Sequence, residues 1–289
     1  GRLPAGDGPF CFCPVPDVVG RRISQGSPTK LLFDKAPIRR CGSPEGGQES
    51  GDEETDSFTV VPAANCTGET QGRMKKRIAI IAGAGGDNPD WLRRELAAAR
   101  PDAVLCADGG ARCARDIGVV PDLIVGDMDS LEEDLQEYFA TRGVPCVRHS
   151  PRKDETDTWL ALERAAAMGA AEVTILGAMG KRLDHTLANL GLLLLGREMG
   201  LSVTLRDEDC EVFAVTGRAM VRGEKGQIVS LFPWSGDARG VDLEGFEYPL
   251  TDAVLTLSRP RGVSNRLLGA TGSIDVKEGC LLVIHYLNI

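Results

Sequence analysis

From residue 77 to about 206 the chain alternates short, β-branched apolar runs with longer stretches in which apolar positions return every three or four residues. A continuous short apolar run makes a buried strand, and the longer period makes the buried stripe of a helix. The pattern predicts strands at 78–82, 103–107, 123–125, 145–148, 173–176 and 202–205, with helices around 89–99, 111–117, 132–141, 157–168 and 185–199 between them. Strands that alternate with helices form a parallel sheet covered on both faces, so the expected fold class is α/β, a parallel-sheet, Rossmann-like domain. After Cys210 the helical period stops. Short strands recur there between turn signals at Arg222-Gly223-Glu224, Ser235-Gly236-Asp237 and Lys277-Glu278-Gly279, which predicts a C-terminal antiparallel β-sandwich.

Residues 1–73 carry neither period. They hold half of the 16 prolines and an acidic run at 49–56, a composition that cannot offset its ordering entropy. Met74, the first methionine, stands immediately before Lys75-Lys76-Arg77 and the first strand. The expected organisation is a dispensable extension over 1–73, an α/β domain over 74–209 and a sandwich over 210–289. Acidic residues and the lack of an arginine-rich amphipathic helix count against reading 1–73 as a targeting peptide.

Composition narrows the partners. A chain of 289 residues, 42% hydrophobic and 26% charged, is expected to be soluble, globular and long enough for two domains. With 33 basic and 42 acidic side chains its net charge is -9, which argues against a nucleic-acid partner. The nine cysteines show no paired metal-ligand spacing, and reduced thiols in a cytoplasmic protein are expected. The apolar runs, such as 192–195, are at most five residues long, far below the ~20 residues needed to cross a bilayer, so no membrane association is expected.

Ligands of open parallel sheets bind beyond the carboxyl ends of the strands. At those positions stand Ala107-Asp108-Gly109-Gly110, Gly126-Asp127-Met128-Asp129-Ser130, Lys153-Asp154-Glu155-Thr156-Asp157 and Gly177-Ala178-Met179-Gly180-Lys181-Arg182-Leu183-Asp184-His185. Two carboxylates at i and i+2 of an extended segment point to one side, so Asp127 and Asp129 can share a hard cation. Magnesium suits so open a cluster better than calcium. The bland alternative is that Asp129 caps a helix starting at Leu131. Asp154 and Asp157 fit an ordinary helix-start pattern, or a helix N-terminus facing phosphate beside Lys153. Asp184 and His185 carry the same two readings. Gly109 and Gly110 either admit a ligand close to the backbone or make a tight turn. No phosphate-binding loop of the G-x-x-x-x-G-K-[ST] form is present at 175–182.

These four motifs, followed by Gly245-Phe246-Glu247-Tyr248-Pro249-Leu250-Thr251-Asp252 and Arg261-Gly262-Val263-Ser264-Asn265, resemble the thiamine pyrophosphokinase family, bacterial type, from Met74 to the last residue. The resemblance implies ATP as co-substrate, thiamine as acceptor, thiamine diphosphate and AMP as products, and a homodimer with sites at the subunit interface. With it, Asp108, Asp127 and Asp129 are assigned to Mg2+ and phosphate positioning, and Asp157 to orienting or deprotonating the attacking hydroxyl. Lys153, Lys181 and Arg182 offset phosphate charge, and Gly109, Gly110, Ser130, Asp154, Thr156, Asp184 and His185 complete the nucleotide side. Ser264 and Asn265, contributed by the partner subunit, and the aromatic face of Tyr248 are expected to receive thiamine, with Trp234 a second aromatic candidate. A hydroxymethylpterin pyrophosphokinase and a non-catalytic nucleotide sensor are the alternatives.

Overall fold

The computed structural model describes residues 39–40, 75–83, 88–128, 131–150 and 152–288. Six strands, β2 (Arg77–Ile81), β3 (Ala103–Ala107), β4 (Leu123–Gly126), β5 (Pro145–Arg148), β6 (Glu172–Leu176) and β7 (Ser202–Arg206), lie parallel in the order β5-β4-β3-β2-β6-β7. A two-residue strand β1 (Arg39–Arg40) pairs antiparallel with β5. The crossovers are α1 (Pro89–Ala99), α2 (Gly110–Asp116), α3 (Glu133–Ala140), α4 (Asp157–Ala167) and α5 (Leu183–Glu198).

Strand alternation decides which face each helix covers. Ile78 and Ile80 of β2 face Leu160, Leu162 and Ala165 of α4 and Leu192 and Leu193 of α5. Ala79 and Ile81 face the other way, toward Trp91 and Leu92 of α1, Ala114 of α2 and Leu135 and Phe139 of α3. The first three helices therefore cover one face and the last two the other, which makes both faces apolar and the strands near-continuous hydrophobic runs. Local chemistry places the helix starts. Asn88 caps α1, its side chain accepting from Trp91 N at 3.0 Å with Pro89 at the first helical position, and Thr156 caps α4 by accepting from Trp159 N at 3.2 Å.

The C-terminal strands are β8 (Cys210–Arg222), β9 (Ile228–Pro233), β10 (Ala238–Glu244), β11 (Leu250–Leu255), β12 (Asn265–Arg266) and β13 (Thr271–Tyr286), all antiparallel. They enclose a separate core that includes Val229, Leu231, Val241, Phe246, Leu267 and Val283. β8 pairs antiparallel with β7, so the hydrogen-bonded sheet runs without a break from the parallel part into the sandwich. At that junction Arg206 lies 2.8 Å from Glu211 and 3.1 Å from Glu95, and buried His285 sits between Glu211, at 3.0 Å, and Gln227, at 2.9 Å.

One expected turn is corrected. Lys277-Glu278-Gly279 does not end a strand but lies inside β13, at a register shift opposite the segment around Gly217 of β8. Gly279 adopts φ 89 there, the left-handed geometry of a bulge. The bulge lets one strand serve two partners, because β13 pairs with β10 up to Glu278 and with β9 from Leu281 onward. The turns at Gly223 and Gly236 lie between strands as expected.

Candidate functional site

The parallel strands end together, and the aspartates that follow them meet. One carboxylate oxygen from each of Asp108, Asp127 and Asp157 lies within 4.8 Å of the others, all three residues being half-buried. Asp108 follows β3, Asp127 follows β4, and Asp157 opens α4 at the same edge. The backbone is shaped to bring them there. Asp108 sits in the left-handed region at φ 40, with its N–H donating to Val125 O at 2.8 Å. A Cβ on Gly126 would fall 2.9 Å from Asp108 Cβ, so glycine at 126 is what admits the aspartate over the end of β4. A non-glycine residue held at positive φ stores strain that surrounding structure must offset, a feature that clusters at functional sites.

Met128, also left-handed at φ 66, is buried against the face carrying α1 to α3. The chain is therefore not extended through 128, and the i, i+2 argument for pairing Asp127 with the residue at 129 does not hold as drawn. Asp129 and Ser130 lie outside the described residues. The capping alternative also fails, because α3 begins at Glu133 with Glu132 as its cap.

Asp157 occupies the first position of α4, and Thr156 supplies the cap, so its carboxylate is not used in capping. It pairs instead with Lys153, whose side chain is only 13% exposed. Asp154 is exposed next to this pair. Gly110 has a packing reason to be glycine, since a Cβ would sit 1.9 Å from Ile81 O, and Gly109 faces Gly83 across the neighbouring strand end.

The loop after β6 carries Lys181, Arg182, Asp184 and His185 at the exposed head of α5. Arg182 and Asp184 form an ion pair, and that hydrogen bond holds the Asp184 carboxyl down at about 2. Neither Asp184 nor His185 makes a side-chain cap, the capping position being Arg182.

On the sandwich, a cavity of about 370 Å³ is lined by Glu247, Tyr248, Pro249, Leu250, Arg261, Gly262, Val263 and Asn265. Tyr248, 64% exposed, lines this cavity. Asn265 is 1% exposed and its amide is committed to the backbone: Oδ1 accepts from Tyr248 N at 2.9 Å and Arg266 N at 2.9 Å, and Nδ2 donates to Tyr248 O at 2.8 Å. It therefore holds Tyr248 in place. Ser264 is exposed at φ 59, its N–H donating to Ser230 Oγ at 3.0 Å. Trp234 packs against the core of the parallel sheet and is not part of this cavity.

Sequence reasoning passed over two strand-end residues. His149 follows β5, its N–H donating to Gly126 O at 3.0 Å, and its ring Nε2 is buried without a hydrogen-bond partner among the described residues. Burial, and then the charges of Lys153 and Arg164, push its pKa down. Asp207 follows β7, and burial pushes its carboxyl up to about 7 against the opposing pull of the Met179 and Gly177 amides. Both stand at the positions that the strand-end rule singles out, which is the signal that could have found them.

The family model "Thiamin pyrophosphokinase, catalytic domain" matches residues 95–205, and "Thiamin pyrophosphokinase, vitamin B1 binding domain" matches residues 219–281. Thiamine pyrophosphokinase of Bacillus subtilis (strain 168) is 29% identical over 214 residues, covering 73% of this chain and 98% of that protein. Thiamine pyrophosphokinase 1 of Oryza sativa subsp. japonica is 30% identical over 130 residues, 38% of this chain and 48% of that one. Among solved structures, thiamine pyrophosphokinase from Bacillus subtilis superposes with a TM-score of 0.66 at 27% identity, covering 74% of this chain and 100% of that chain. The Candida albicans structure shares the fold at 18% identity, with a TM-score of 0.64 over 74% of this chain and 90% of that chain.

Proposed function

The chain belongs to the thiamine pyrophosphokinase family, and from that premise we propose that it transfers the pyrophosphoryl group of ATP to the hydroxyl of thiamine at the strand-end aspartates, releasing thiamine diphosphate and AMP. The single observation that supports this placement is the convergence of Asp108, Asp127 and Asp157 from three separate segments. Carboxylates so close repel one another, and although Lys153 already offsets Asp157, a further cation among them is favourable. The donor set is all oxygen, the chemistry that a hard cation such as magnesium takes. Asp108 and Asp127 would hold the ion, with Asp129 completing the set, and the ion would neutralise charge on the transferring phosphates.

The chain's own residues do the rest by positioning. The acceptor hydroxyl attacks the β-phosphorus while AMP leaves, so the protein must align two oxygens in line and spread the developing charge. Asp157, steadied by Lys153, faces the other two carboxylates and is the group placed to orient the attacking hydroxyl. Lys153, Lys181 and Arg182 supply positive charge along the strand ends, the last two from the loop between β6 and α5, with Gly109, Gly110, Ser130, Asp154, Thr156, Asp184 and His185 shaping the nucleotide side. The sandwich cavity suits a cationic aromatic acceptor, because Tyr248 offers a ring face and Glu247 a carboxylate.

We further propose a homodimer in which the sandwich cavity of one subunit meets the aspartates of the other. Exposed apolar side chains support it: Leu183 and Leu187 at the head of α5, and Tyr248 and Val263 lining the sandwich cavity. The family match includes the C-terminal acceptor domain as well as the catalytic one, so neither the pterin pyrophosphokinase nor the non-catalytic sensor is favoured. The test is to incubate the full chain with ATP, magnesium and thiamine and to separate the nucleotides. AMP formed in step with thiamine diphosphate is expected, with none when 6-hydroxymethylpterin replaces thiamine; release of ADP instead would overturn pyrophosphoryl transfer.

A further inference from the structure

The loop from β6 to α5 is pinned at two successive residues by side chains from two other parts of the chain. Asp207 Oδ2 accepts from Met179 N at 3.1 Å, and Asn189 Nδ2 donates to Ala178 O at 2.7 Å. The pins are themselves fixed. Asp207 N donates to Cys210 O at 3.0 Å, closing the turn between β7 and β8, and Asn189 is buried inside α5. The loop begins at Gly177, in the left-handed region at φ 67, where its N–H donates to Arg206 O at 3.3 Å. Between this anchored stretch and the first residue of α5 stand only Gly180, Lys181 and Arg182.

We propose that Asp207 and Asn189 are positioning residues for the nucleotide: together they clamp the backbone at 178 and 179 so that Lys181 and Arg182 are presented at the phosphate side of the strand-end crevice. The proposal rests on reading those two cations as phosphate-facing. An ordinary loop staple would need only some acceptor at 207 and would bear on stability alone. Here the clamp grips a single peptide group, the one joining Ala178 to Met179, from opposite sides, through its N–H and its C=O at once, which fixes the rotation of the peptide plane as well as the path of the chain. A fixed plane two residues upstream sets the direction in which Lys181 and Arg182 leave the backbone. Holding long cationic side chains ready in this way lowers the ordering cost when a polyphosphate binds.

The experiment compares the full wild-type chain with Asp207→Ala, Asp207→Asn and Asn189→Leu, measuring amide hydrogen exchange at Met179 without ligand, and KM for ATP and kcat with magnesium and thiamine. Asp207→Ala should speed exchange at Met179 and raise KM for ATP by about tenfold each, the size of one lost hydrogen bond, while kcat changes less than about threefold. Asp207→Asn keeps an acceptor oxygen and should return both quantities to near wild type. If Asp207→Ala does not fold, Asn189→Leu carries the same comparison through Ala178. Unchanged Met179 exchange and KM in the Ala and Leu variants, or an Asn variant as impaired as the Ala variant, would overturn the clamp. A wild-type chain that makes no AMP would instead remove the pyrophosphokinase reading, and exchange at Met179 together with ATP affinity by titration would still decide the clamp.

Discussion

At the scale of single residues, the candidate site rests on three aspartates that stand at strand ends or at a helix start. Asp108, Asp127 and Asp157 each follow or precede an element with a clear period, and the fold gathers them. Asn265 was legible as a position but not as a role, since only the folded chain shows its amide spent on the backbone of Tyr248. Replacing Asp127 by Asn removes one of three mutually repelling charges at unchanged size, so the melting temperature should hold or rise. Turnover should fall on the order of 100-fold, as for loss of a strong transition-state contact, with partial recovery as magnesium is raised. Wild-type turnover in Asp127→Asn with the fold intact would move the metal site elsewhere. Asp207 gives a pH prediction. Its carboxyl is raised by burial to about 7, and the titrating neighbours are Asp209 and the Cys210 thiol, which burial holds protonated up to about 11. Below the unfolded value, about 4, both states carry the proton and the group contributes nothing. Between there and 7 only the folded state keeps it, so stability drains away as pH rises and stays lost above. The melting temperature of Asp207→Asn relative to wild type should therefore climb from pH 4 to 7 and then level, and a flat difference across that range would refute the assignment.

At the scale of elements, strands and helices of the α/β part were legible to within one or two residues because their periods are long and their faces fully apolar. The bulge at 277–280 was not, because a Lys-Glu-Gly triplet satisfies a turn and a bulge equally, and only the change of partner from β10 to β9 distinguishes them. The start of α3 falls at Glu133, one residue from the expected 132, with Glu132 rather than Asp129 at the capping position. Glycine at 110 shows how an element's seat depends on a single hydrogen in place of a methyl. A Cβ there would lie 1.9 Å from Ile81 O, so Gly110→Ala must push the head of α2 off β2. The expected cost is about 1–3 kcal/mol, as for other overpacked core positions. Denaturant melts would show it, and because Asp108 O accepts from Ala111 N within this same turn, turnover should fall as well. A variant as stable as wild type would mean that α2 is not seated on β2 as described.

At the scale of the whole molecule, one hydrogen-bonded sheet joins the aspartate edge to the sandwich, so the two halves of a chain are tied through β7 and β8. That junction includes the Arg206 ion pairs to Glu95 and Glu211 and the buried His285, which argues against a free hinge between the halves. In the proposed dimer a second subunit brings its own cavity to the first subunit's strand ends. Complementation tests this directly. Asp127→Asn disables the aspartate half and Tyr248→Ala the acceptor half; Tyr248 suits the purpose better than Asn265, whose loss would unfasten the backbone it holds. After subunits of the two variants are mixed and allowed to exchange, half of the hybrid's sites combine an intact aspartate cluster with an intact cavity. Turnover should rise well above either variant alone, toward about a quarter of wild type at equal mixing with random exchange, since half of the dimers are hybrids and each has one intact site. Activity that stays at the level of the separate variants, while labelled subunits demonstrably exchange, would place both halves of the site within one chain.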